Sequence, residues 1–458
     1  MSSNCAGKPS PVNSDGTMGA FVLADARILN EGKLYRGFVA VDPPYIIEVG
    51  AGDYHGDLPA RNLGGRLLMP GVIDTHVHFR EPGLTAKADI RSESRAAAAG
   101  GVTSYFDMPN CVPQTVTRDA LDDKFRRAAG DSLVNYSFYI GATRDNLDVL
   151  ATADYSRVPG VKLFLGASTG GMQVEDEEYL DRVFRLPRRI SVHSEDQAII
   201  NRNAAIAREK YPEGGIPMRE HARIRSAEAC RECTRKAVER ARRHGTRLHV
   251  CHISTAGELE FLTPSVPLAE KQITGEVCVQ HLWFSDRDYD RLGAKIKCNP
   301  AVKGAEHRDA LRRAVRDGLI DVVSTDHAPH LPQDKEGDAL HAASGIPLVQ
   351  FSLPCMLEGA RRGWWSLERV VELMCHNPAQ LFGIERRGFL RPGYYADLVI
   401  VGETPSEVTR ESILSKCGWS PFEGETFSHK VSETYVNGRR VYPFGENGDA
   451  AMPLRFGK

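Results

Sequence analysis

The chain has 458 residues, with 58 basic side chains against 60 acidic ones and a formal net charge of −2. That balance leaves no basic field for nucleic acid or anionic lipid, so a small-molecule partner is expected. No apolar run reaches the roughly 20 residues that cross a bilayer, and the opening MSSNCAGKPSPVNSDGTMGA has no apolar signal-peptide segment.

The chain therefore reads as cytoplasmic, with a flexible tail over residues 1–18. The ten cysteines are scattered without a disulfide framework, which suits a reducing compartment. Cys230 and Cys233 make a lone C-x-x-C in an Arg-rich helical stretch and read as ordinary thiols.

After the tail, FVLADARILNEGKLYRGFVAVDPPYIIEVG alternates apolar and polar residues between turn residues, the pattern of antiparallel strands. Eight short apolar or β-branched runs follow: GVIDTHVHF, VTSYFDMPN, NYSFYIGAT, GVKLFLGAST, RISVHSED, RLHVCHIS, ITGEVCVQH and DVVSTDHAPH. The linkers between them look helical, such as TAKADIRSESRAAAAGG, which stops at a Gly pair. This alternation predicts an α/β fold, a (β/α)₈ TIM barrel over residues 70–385, with catalytic groups at the C-terminal strand ends.

The charged insertion Gln197 to Gly245 reads as a solvated helix face, and LERVVELMCHNPAQLFGI as a closing amphipathic helix. ADLVIVGE and ETYVNGRRVY return to the strand pattern. Residues 19–69 and 386–445 are thus expected to meet in one small β-sandwich built from both termini.

On a strand, residues i and i+2 share a face, so His76 and His78 converge at the end of the first run. Imidazole suits Zn²⁺, but one H-x-H is weak evidence alone. His193, His252 and Asp326 end the fifth, sixth and eighth runs, and five ligands suit two metals better than one. Such a pair needs a bridging anion, and the fourth run offers Lys162 at that depth. Either a neutral Lys162 adds CO₂ to become a carbamate bridge, or it is a lysine paired with a carboxylate such as Glu195. Two cations would acidify a shared water, and Asp326 could pass the proton from that water to a departing nitrogen, which describes amide hydrolysis.

GVIDTHVHFREPG, DMPN, the lysine of GVKLFLGASTGGM, SVHSED, HVCHIS and STDHAPH occur in this order. Together they resemble the cyclic-amidase group of the amidohydrolase superfamily, and within it the dihydroorotases. The likeness extends to GFLRPGYYADLVIV near the C-terminus. It implies that His76, His78, Lys162, His193, His252 and Asp326 hold two Zn²⁺ ions, with Lys162 carbamylated and bridging. It also implies a homodimer and reversible ring opening between L-dihydroorotate and N-carbamoyl-L-aspartate in pyrimidine biosynthesis.

The residue after H-x-H separates subfamilies. Arg80 lies on the face of His76 and His78, and a planar guanidinium can grip a substrate carboxylate. Asn110 could add amide donors. By family likeness, allantoinases tend to carry Asn where Arg80 stands, and hydantoinases lack the Arg-Glu-Pro-Gly run. Asn299, His330 and the backbone near Ser344 and Gly345 match positions that hold the pyrimidine ring and its carboxylate. Alternatives are another cyclic amidase, or a silent scaffold protein, which would be expected to have lost metal ligands. His281 reads as structural, Glu276 and Cys251 are minor candidates for an extra metal, and His249 is left out of the site. HLPQDKEGDALHAASG, after the eighth run, is the candidate lid.

Overall fold

The structure is a computed structural model that describes residues 19–167, 171–445 and 450–457; the expected tail lies outside them. All eight apolar runs form strands: Val72–Val77, Val102–Asp107, the two pieces Asn135–Phe138 and Ile140–Gly141, Val161–Phe164, Ile190–His193, Leu248–Val250, Ile273–Cys278 and Val322–Ser324. Each pairs in parallel with the next. The break in the third strand divides the ladder into runs of three and six strands. The ring closes where Val77 bridges His327, and His78 N–H donates to the His327 carbonyl at 2.7 Å. This is the predicted TIM barrel.

Local chemistry sets the helix limits. Asp89 caps Ile90–Ala99 by accepting from Ser92 N–H, and the helix stops at Gly100. A side chain at Gly100 would meet the carbonyls of Val349 and Gln350, so the close approach there requires glycine.

In the insertion, Gln197–Lys210 is an extra helix and Ala227–His244 is the crossover to the sixth strand. Its outward arginines are solvated as expected, yet Ile200, Ala204 and Ala207 bury a stripe against Ile216, Ile224, Ala229 and Ala339. Ala339 belongs to the loop after the eighth strand, so the insertion carries one wall of the barrel mouth. The closing helix forms over Leu367–Val371 and Asn377–Phe382 with a π turn at Glu372–His376 between them.

The two termini share one eight-stranded sheet. Leu67–Pro70 joins them, parallel to Phe21–Asn30 and antiparallel to Leu398–Gly402. The sheet curls over its own core of Leu23, Ile28, Val41, Leu68, Leu398 and Tyr435, because Ile46 N–H reaches the Tyr394 carbonyl at 2.8 Å. Asp397 ties it to the barrel, accepting from Asn437 N–H at 2.9 Å, from the Asn135 amide and from Arg387. No described helix is long and apolar enough to cross a membrane.

Candidate metal centre

The first strand ends with His76 and His78 side by side, and the eighth strand brings Asp326 to them. Asp326 Oδ1 lies 3.3 Å from His76 Nε2 and 2.9 Å from His78 Nε2. Beside them, His193 Nδ1 lies 3.0 Å from His252 Nε2. His76, His252 and Asp326 offer ligand atoms within 4.8 Å of one another. The five ligands expected on strand ends therefore converge on one pocket, at spacings that fit small divalent cations.

The far nitrogens of three of these rings are held. His76 Nδ1 faces Glu276 Oε1 at 2.8 Å, and His78 Nδ1 faces Asn110 Oδ1 at 2.7 Å. His193 Nε2 faces Glu195 Oε2 at 3.0 Å, and Arg225 grips the same carboxylate oxygen. Each contact places the proton on the outer nitrogen and turns the inner lone pair to the centre, the arrangement a metal requires. Burial lowers the basicity of His76, His78, His193 and His252 below that of a free imidazole, which keeps them neutral at pH 7. Burial alone would raise the Glu195 carboxyl, but Arg225 and His193 overcome it and hold it at about 2.

Lys162 is fully buried on the fourth strand. Its Nζ lies 3.2 Å from Cys251 Sγ, and no described carboxylate lies within ion-pair range. The alternative pairing with Glu195 is not formed, because Glu195 belongs to His193 and Arg225. Burial pushes the Cys251 thiol up to about 12, so it is a protonated neighbour.

Backbone strain marks the same region. Arg80, His252 and Asp326 adopt the left-handed conformation, at φ +67°, +38° and +49°. This conformation costs energy for residues with a side chain and persists only where the surroundings impose it. It turns each side chain off its strand.

Arg80 is buried, with Nε donating to the Pro329 carbonyl at 3.1 Å, and has no carboxylate ion pair among the described residues. Burial lowers its pKa to about 10. His330 Nε2 donates to the Ser344 carbonyl at 3.1 Å, with Arg80 Nη2 3.1 Å from the same nitrogen, while Nδ1 accepts from Lys87 at 3.1 Å. Burial, then Arg80 and Lys87, push His330 down to about 2, so it is neutral.

Asn110, expected to face a substrate, spends its carbonyl on His78. Asn299 Oδ1 is buried without a partner, an acceptor awaiting a donor. Gly345 N–H already donates to the Lys297 carbonyl at 2.9 Å. A side chain at Gly345 would strike the Ala328 carbonyl and the His330 ring.

Sequence reasoning missed several supports. Glu276 was weighed only as a minor metal candidate, yet it also accepts from Thr75 Oγ1 at 2.8 Å and lies 3.5 Å from His249 Nε2. Asp74, pushed up to about 7 by burial, accepts from Thr325 Oγ1 at 2.6 Å and locks the first strand to the eighth. Both are acidic residues inside apolar runs, the signal that could have found them. His281 is buried as expected of a structural residue, facing the Pro300 carbonyl at 3.1 Å.

Lys335 carried no pattern. Its ammonium donates to the carbonyls of Lys297 at 3.1 Å, Ala343 at 2.7 Å and Gly345 at 2.8 Å. The proposed lid, residues 330–345, is thereby stapled to the Asn299 loop.

The sequence pattern of the Amidohydrolase family matches residues 67–441. A dihydroorotase of Halobacterium salinarum is 36% identical over 88% of this chain and 91% of its own. An allantoinase of Bacillus velezensis is 33% identical over 93% of this chain and 94% of its own. Among solved structures, the L-hydantoinase of Arthrobacter aurescens superposes with a TM-score of 0.89 at 28% identity, covering 96% of this chain and all of that one. With its family pattern spanning the barrel and the strands on either side, the chain belongs to the amidohydrolase family.

Proposed function

We propose that the chain is a dihydroorotase, opening the ring of L-dihydroorotate to N-carbamoyl-L-aspartate and closing it in reverse. The reading rests on one observation: Arg80, two residues past the convergent histidines, is a buried guanidinium without a carboxylate partner among the described residues. A buried cation left unpaired is costly, and a substrate carboxylate would relieve that cost. The dihydroorotases at 36% and 34% identity support it.

His76, His78, His193, His252 and Asp326 would hold two divalent cations, zinc by preference for imidazole. Lys162 would join them as a carbamate, its amine having added CO₂ in a pocket that offers it no counter-ion. Bound divalent cations acidify water and polarise an amide carbonyl.

This chain's own groups do the rest. Arg80 grips the substrate carboxylate, and Asn299 Oδ1 accepts from a ring N–H. The Ser344 carbonyl holds His330 neutral beside Arg80, so the carboxylate meets one cation and one uncharged donor face. Asp326 takes the proton lost by the water that attacks the ring amide carbon. As the carbon–nitrogen bond breaks, Asp326 returns that proton to the nitrogen.

Assay of the purified protein with N-carbamoyl-L-aspartate and with allantoin, side by side, tests this. Turnover of the carbamoyl-aspartate is expected; turnover of allantoin alone would transfer the chain to the allantoinases it also resembles.

A further inference from the structure

The opposite end of the barrel carries a second feature that the chemistry above does not use. A cavity of about 720 Å³ opens where the fourth, fifth and sixth strands begin, and Arg188, Arg189 and Arg247 line it. Arg188 and Arg189 directly precede the strand Ile190–His193, and Arg247 directly precedes Leu248–Val250. The rest of the wall includes Tyr155, Phe382 and Phe456.

None of the three arginines forms an ion pair among the described residues. Arg188 lies over the Tyr155 ring at 4.5 Å. Arg189 is buried, with Nη2 donating to the Leu381 carbonyl at 2.9 Å and Nη1 buried with no acceptor. Burial, then the neighbouring Arg247, lowers Arg189 to about 10. The acid in the wall, Asp154, is already engaged by Ser156 N–H at 3.1 Å and Ser156 Oγ at 2.6 Å. Asp321, the other acid that acts on Arg189, is paired with Lys271 at 2.6 Å.

Other surface cavities differ. In the one beside the insertion, Arg240 is paired with Asp181 at 2.8 Å and Lys236 with Asp196 at 2.7 Å. Folded chains do not usually leave a guanidinium N–H buried and unsatisfied. Two further unpaired guanidinia on the same cavity compound that electrostatic cost.

We propose that this cavity is an anion site, separate from the barrel mouth, for a phosphate monoester carried on a small organic body. Guanidinium forks match phosphate oxygens in bidentate geometry, and the cavity exceeds what a bare phosphate fills. The aromatic wall accounts for the organic body. Arg189 supplies the buried donor, and Arg188 and Arg247 supply charge from the rim.

The test uses the full chain and phenyl phosphate as probe, in titration calorimetry and thermal melts at fixed ionic strength. The comparison protein is the double variant Arg188→Ala, Arg247→Ala, whose side chains are exposed, so it should fold. Wild type should bind one phenyl phosphate per chain and melt higher with it, since a ligand of the folded state raises its stability. The double variant should bind at least about tenfold more weakly, the effect of losing one charge-assisted contact. Its turnover without the probe should be unchanged. No binding by wild type at millimolar probe would overturn the proposal. So would equal affinity in the double variant, which would place the probe at the metal centre instead.

Discussion

Glu276 Oε1 lies 2.8 Å from His76 Nδ1, and both groups are buried inside the barrel. The contact places the His76 proton on Nδ1 and leaves Nε2 facing Asp326. His76 and His249 hold the Glu276 carboxyl well below its ordinary range against burial, which alone would raise it. A buried carboxylate on the outer nitrogen makes an imidazole a stronger ligand and fixes its ring.

Glu276→Gln should therefore weaken divalent-metal affinity by about 10–100-fold. Titration of apo protein with zinc against a competing chelator measures this. Wild-type affinity in the variant would show that Glu276 only fills space.

Lys162 sits in a pocket with a protonated thiol for company and no counter-ion. Lys162→Ala should lose tightly bound metal and turnover. Short carboxylic acids at high concentration should restore a part of both, because they supply the missing anion. Mass spectrometry under mild conditions should find wild type heavier than the sequence by one CO₂. Full metal content in Lys162→Ala would exclude a bridging role.

Lys335 holds three carbonyls on two loops, and burial lowers it to about 7. Lys335→Met keeps its volume but frees those carbonyls, releasing Gly345 and Asn299 from each other. KM should rise about tenfold or more, on the order of one lost charge-assisted hydrogen bond, with a smaller change in kcat. Unchanged KM would mean that the loops are positioned by other contacts, such as Ala339 N–H to Ile216 at 3.0 Å.

His330 should stay neutral across the working range. Its folded pKa lies near 2, below the ordinary 6.5, because protonation would add charge to a buried ring beside Arg80 and Lys87. A group shifted down in this way binds no proton above pH 4. Imidazole ¹⁵N signals of His330 should not move between pH 5 and 9. A titration near pH 6.5 would contradict the tautomer set by Lys87 and the Ser344 carbonyl.

The barrel was legible because each strand is a short run of β-branched or aromatic residues with polar chemistry at its C-terminal end. His76 with His78 followed from a period of two. His193, His252 and Asp326 followed from equivalent depths on other strands. What periodicity cannot carry is contact across the barrel. Glu276 reaches His76 over 200 residues of chain. Lys335 lies in a polar loop where nothing in the sequence separates a buried ammonium from a solvated one. Asn110 was read as a substrate donor because its strand end faces the mouth, but which neighbour it meets depends on how His78 turns. The insertion looked purely solvated because its charges mask the small residues of its buried stripe.

The central claim is that Arg80 makes this a site for a carboxylated ring. Dihydrouracil is the same ring as L-dihydroorotate without the carboxylate, so their kcat/KM ratio isolates that one group. Sites built to pair a polar substrate group reject analogues lacking it by about 10⁴-fold. Wild type should favour L-dihydroorotate by about that factor, and Arg80→Met should collapse the ratio by tenfold or more. Equal kcat/KM for the two rings in wild type, or a ratio unmoved by Arg80→Met, would contradict the account.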